Sequence, residues 1–139
     1  ELILKLYEGD TEIDQTKFYF EDGLNLGLDP GYDAGHFNQQ ASLMSRLVEE
    51  DQGIGFAVNS MRLESINDVI IPLEINRESG NGFRIRIHIN GIYEGTNIYL
   101  EDSQEGTMTL LNEEVNNHSN IDGFDFLIEK INLGLKMTI

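Results

Sequence analysis

The sequence predicts an all-β domain, an antiparallel β-sandwich of jelly-roll type. Three observations point there. Apolar and polar residues alternate with period two in short segments, most plainly in Phe83-Arg84-Ile85-Arg86-Ile87-His88-Ile89. Turn signals that tolerate positive φ recur at Asp22-Gly23, Ser79-Gly80-Asn81-Gly82, Asn90-Gly91, Glu105-Gly106 and Asp122-Gly123. No long helical period runs through the 139 residues. Short strands at regular spacing, separated by such turns, are the pattern of a sandwich or barrel.

The strands follow in order. Leu2, Leu4 and Leu6 alternate with polar neighbours, as do Phe18 and Phe20 around Tyr19. A glycine-rich loop from Gly23 to Phe37 comes next. Ser42 to Val48 reads as a strand in preference to a short helix, although Leu43, Leu47 and Glu50 also fit a helical i, i+4, i+7 spacing. Ile54 to Ser60 and Val69 to Ile75 are further strands. Pro72 removes a ladder donor from the second of these and predicts an edge strand or a bulge. Phe83 to Ile89 is bracketed by Asn81-Gly82 and Asn90-Gly91, both good turn signals. Thr96 to Glu101 and Thr107 to Leu111 are strands, Tyr99 to Leu111 reads as a hairpin around Ser103-Gln104-Glu105-Gly106, and Phe124 to Glu129 follows. Residues 1–130 make one domain by size. Residues 131–139 read as a last strand or as the start of a linker.

Composition narrows the function classes. Asp and Glu number 25 against 9 Lys and Arg, a net charge of −16. Such a chain repels the phosphate backbone and anionic headgroups, so neither nucleic acid nor membrane insertion is expected. It suits Ca²⁺, which takes oxygen ligands. With no cysteine, disulfides, thiolate metal sites and cysteine catalysis are excluded. Apolar runs stay well below the ~18 residues of a spanning helix. The opening on Glu1, already inside a strand pattern, reads as a fragment cut from a longer precursor. A monomer is expected, since an edge strand carrying proline resists edge-to-edge pairing.

An ordered set of short motifs carries a resemblance. A second strand ends in Glu21-Asp22-Gly23, and Gly31-Tyr32-Asp33-Ala34-Gly35 follows. Then come Arg46-Leu47-Val48-Glu49, Phe56-Ala57-Val58-Asn59, Asn67-Asp68-Val69-Ile70-Ile71-Pro72-Leu73, Ile98-Tyr99-Leu100-Glu101-Asp102 and Thr109-Leu110-Leu111. Across about Glu1 to Lys130 this order resembles the β-sandwich module that precedes the type IX secretion C-terminal sorting domain in secreted and surface proteins of Bacteroidota. The chain departs from that pattern at His36 and Phe37, where the family often has an aromatic and an acid, and at Ser60-Met61-Arg62-Leu63. The resemblance implies an extracellular or outer-surface location. It implies a non-catalytic spacer or adhesive module beside a sorting signal, with neighbouring domains of the same precursor as partners.

The candidate sites each have a structural alternative. Asp22, Asp29 and Asp33, with Glu21 and Asn25, offer oxygens for Ca²⁺, but their spacing is not that of an EF-hand. The favoured alternative is that these acids cap turns through backbone N–H groups. Tyr32 can stack on a sugar, although an aromatic between glycines is expected to fold back onto the core. Arg84, Arg86 and His88 form a basic stripe able to receive a carboxylate-rich glycan or a partner domain. Cross-strand pairing with acids, worth ~0.2–1 kcal/mol each, is the favoured reading of that stripe. Glu101, Asp102 and Glu105 read as solvated turn acids, because a hairpin tip lacks the cleft that raises a catalytic pKa.

His36, His88 and His118 have no zinc-ligand spacing, and no nucleophile-elbow or phosphate-loop motif occurs. The chain is therefore expected not to be an enzyme. The alternatives are a carbohydrate-binding module, Ca²⁺-dependent or not, displaying two or more of Tyr7, Tyr19, Tyr32, Tyr93 and Tyr99 on one face, and a hydrolase working through paired carboxylates.

Overall fold

The structure, a computed structural model, describes residues 1–35, 42–76, 83–89, 95–103, 105–111, 121–126 and 132–138. Within these residues the chain is all-β. The strands are β1 (Leu2–Glu8), β2 (Thr11–Glu21), β3 (Ala34–Gly35), β4 (Leu43–Ser45), β5 (Phe56–Arg62), β6 (Asp68–Ile75), β7 (Phe83–Ile89), β8 (Asn97–Asp102), β9 (Thr107–Leu110), β10 (Ile121–Phe126) and β11 (Asn132–Thr138). A 3₁₀ turn, Leu63–Asn67, joins β5 to β6.

All strands belong to one curled sheet in the order β10-β7-β1-β2-β5-β4-β6-β11-β8-β9, with β3 paired to β5 off this path. The sheet is mixed, because β2 and β5 run parallel while the other strand pairs run antiparallel. This corrects the wholly antiparallel expectation. The long stretch between β2 and β5, which contains the glycine-rich loop, provides the crossover that a parallel neighbour requires. The end strands β9 and β10 approach each other.

The inner face is built from the alternations legible in the sequence. Leu2 faces Ile89 across β1 and β7, Leu4 faces Ile87, and Leu6 faces Ile85. On the other half of the sheet, Ile71, Leu135 and Leu100 form one row across β6, β11 and β8. Val69, Met137 and Ile98 form the next. These residues join a single buried cluster with Phe18, Met61 and Phe83. Curling one sheet brings its two apolar halves together and removes both from water, the dominant favourable term in folding.

Three local expectations are corrected. Pro72 is not on an edge: β6 lies between β4 and β11. The ladder with β4 ends at Ser45, opposite Leu73, so the proline sits just past the end of its neighbour. Its carbonyl still accepts from Arg46 N–H at 2.9 Å. Asp122-Gly123 is not a turn but lies inside β10, at a register shift against β7. A glycine in a strand often marks such a bulge. The strand expected over Ser42 to Val48 shrinks to three residues, Leu43–Ser45. Residues 132–138 form β11, hydrogen-bonded between β6 and β8.

The turns at Asp22-Gly23 and Glu105-Gly106 are present, with Gly23 at φ +83° and Gly106 at φ +71°. The turns proposed at 79–82 and 90–91 lie outside the described residues, as do His36, Phe37, Tyr93, His118 and residues 127–129.

Candidate functional site

The glycine-rich loop is closed by its own acids. Asp29 is buried, and its carboxylate accepts from Asn25 twice, from the backbone N–H at 2.8 Å and from Nδ2 at 2.7 Å. The backbone N–H of Asp29 donates to Asp33 Oδ2 at 2.7 Å. The second oxygen of Asp33 accepts from the Ser60 N–H of β5 at 2.6 Å. Ser60 Oγ donates to the Tyr32 carbonyl at 2.9 Å. The N–H groups of Tyr32 and Asp33 both donate to the Asp29 carbonyl at 3.0 Å. Asp residues adopt such positions because a short carboxylate reaches nearby backbone donors.

Burial pushes the Asp33 carboxyl above its ordinary pKa, with the Asp29 charge acting in the same sense; the N–H donors from Ser60 and Asp29 oppose the rise. All four carboxylate oxygens of Asp29 and Asp33 thus already accept an N–H. Asp22 is exposed in the turn after β2. Among the described residues, no group of three or more His, Asp or Glu is placed to hold a metal ion.

Tyr32 does not fold back onto the core. It is 53% exposed at the tip of the hydrogen-bonded turn, which corrects the expectation of a packed aromatic. Its carbonyl and N–H fasten the main chain while the side chain is presented outward.

The basic stripe lies on the outer face of β7. Arg84, Arg86 and His88 stand opposite Tyr7, Lys5 and Ile3 of β1. The guanidinium of Arg86 sits 5.3 Å from the Tyr7 ring centroid, a cation–π contact. On the other side, Asp125 and Asp122 of β10 occupy the register positions opposite Arg84 and Arg86. The stripe and the Tyr32 loop belong to different strands, with β1 and β2 between β7 and β5.

The hairpin acids separate by strand alternation. Asp102 is buried and not solvated; its Oδ1 accepts from Glu105 N–H at 3.1 Å, capping the turn. Glu101 faces outward and lines a groove that the sequence reading did not identify. This groove, about 480 Å³, lies over β11 and is walled by Arg46, Ile70, Pro72, Glu74 and Glu101 around Gly134. Its residues come from four separate chain segments that only the register across β4, β6, β11 and β8 assembles. The one available signal was Gly134, the residue without a side chain in an otherwise alternating run.

No family model, curated protein or solved structure matches the chain.

Proposed function

We propose that this chain is a non-catalytic accessory module of a secreted or cell-surface bacterial protein, a jelly-roll-like sandwich acting as an adhesive or spacer domain next to a sorting signal. The observation that carries the reading is the Asp29–Asp33 turn. Its carboxylates are engaged by N–H donors, and Tyr32 stands exposed on it. A scaffold that spends its loop acids on holding shape, and presents an aromatic, suits display better than acid–base chemistry. The motif order from Gly31-Tyr32-Asp33 to Leu100-Glu101-Asp102 supports the same assignment through its resemblance to the type IX cargo module.

Calcium is not needed for this arrangement. The expected melting temperature is the same in EDTA and in millimolar Ca²⁺. A rise of several degrees that is lost in Asp29→Ala would instead establish a Ca²⁺-dependent binding loop. Intact and lysed cells of the source organism, probed with an antibody to this chain, test the location: equal signal from both supports surface display, and signal only after lysis overturns it.

A further inference from the structure

The groove over Gly134 is a built feature of the outer face. We propose that it binds a neutral saccharide, an inference that rests on reading the chain as a binding module. β11 has no side chain there, and Ile70 packs over the bare backbone so closely that a Cβ added to Gly134 would lie 2.9 Å from its Cγ2. Pro72 and Glu101 flank Gly134 in register on β6 and β8. About 480 Å³ of space results, within the range of small-molecule sites.

The lining matches the two faces of a sugar ring. Ile70, which is 45% exposed, and Pro72 offer apolar surface to ring C–H groups. Around them stand planar groups suited to pairs of hydroxyls. Glu101 offers carboxylate acceptors, and Arg46 and Glu74 are already locked together. Arg46 Nε donates to Glu74 Oε2 at 3.1 Å, with a second guanidinium contact to the same oxygen, and Asp51 lies 3.8 Å from Arg46 Nη1. A hydroxyl can donate to a carboxylate or accept from a guanidinium, so such a ring of groups serves a polyol. Three carboxylates and one guanidinium in the lining, on a chain of net charge −16, disfavour an anionic ligand. A purely cationic ligand would leave the apolar floor unused. Across the same face, Ile70, Lys136, Tyr99 and Leu110 form the next row, which gives a second sugar unit an aromatic neighbour.

The test is an array of neutral oligosaccharides of glucose, mannose, galactose and xylose, with acidic glycans and an oligolysine peptide beside them, followed by calorimetric titration. The expected result is retention of a neutral oligosaccharide, with affinity at least tenfold weaker in Glu101→Gln and in Ile70→Ser while both variants melt as the wild type does. No neutral sugar bound at millimolar concentration, preference for oligolysine, or binding unchanged in both variants overturns the proposal. Binding lost in Tyr32→Ala but not in Glu101→Gln moves the ligand to the loop, which sinks the groove and leaves the module reading intact. Release of new reducing ends from a bound oligosaccharide, absent in Glu101→Gln, keeps the saccharide site and overturns the non-catalytic reading.

Discussion

Asp33 ties the loop to the sheet through one carboxylate. Each of its oxygens accepts a backbone N–H, one from Asp29 and one from Ser60. An amide can satisfy only one of these donors, so Asp33→Asn is expected to destabilise by about 1–3 kcal/mol in urea unfolding. Burial raises the folded-state pKa of this carboxyl. The folded state therefore holds the proton to higher pH than the unfolded state, and the associated stabilisation is complete below the ordinary carboxylate range. It is lost as pH rises through the raised value. The stability advantage of wild type over Asp33→Asn should accordingly shrink as pH rises across that window, and carbon-13 titration of the carboxyl should show a midpoint above the ordinary one. Tyr32→Ala, by contrast, removes an exposed ring and is expected to change stability by no more than about 0.5 kcal/mol. A larger loss would mean that the ring packs on the scaffold after all. That Asp29 and Asp33 would cap turns was legible from residue type; that Tyr32 would stand clear of the core was not. Local sequence does not say which way a ring leaves its turn.

Strand β7 shows how far period-two alternation reaches. Phe83, Ile85, Ile87 and Ile89 are buried, and Arg84, Arg86 and His88 are not, as the pattern requires. Pro72 shows where it stops. Its missing N–H predicts an edge, yet β6 is internal, and the proline is accommodated because the neighbouring β4 ends one residue short of it. The same neighbourhood allows a test of packing. In Gly134→Ala the new methyl meets the stiff, β-branched Ile70 at 2.9 Å, so a cost of about 1–3 kcal/mol is expected. Ile70→Ala in the same chain removes the clash, and the double variant should recover most of that loss in a thermal cycle. Additive costs would show that Gly134 is needed for some other reason.

The curl of the sheet gives the molecule one core and one continuous outer surface. Ile85 sits in that core on β7, opposite Leu6, and Ile85→Ala is expected to cost about 2–5 kcal/mol by denaturant unfolding, for lost burial and the cavity left behind. Alternation, turn glycines and the absence of a helical period were enough to determine, from the sequence alone, an all-β chain, most of its strands and the inward faces of β1 and β7. Side-chain period and φ preference are local properties, carried by neighbouring residues. The tertiary structure alone decided that β2 and β5 pair in parallel, that β11 lies between β6 and β8, and that Arg46, Glu74, Glu101 and Gly134 share one groove. The physical reason is that any strand with one apolar face can pair with any other. The choice of neighbour is set by closure of the whole sheet around its core, a sum over contacts between residues far apart in the chain.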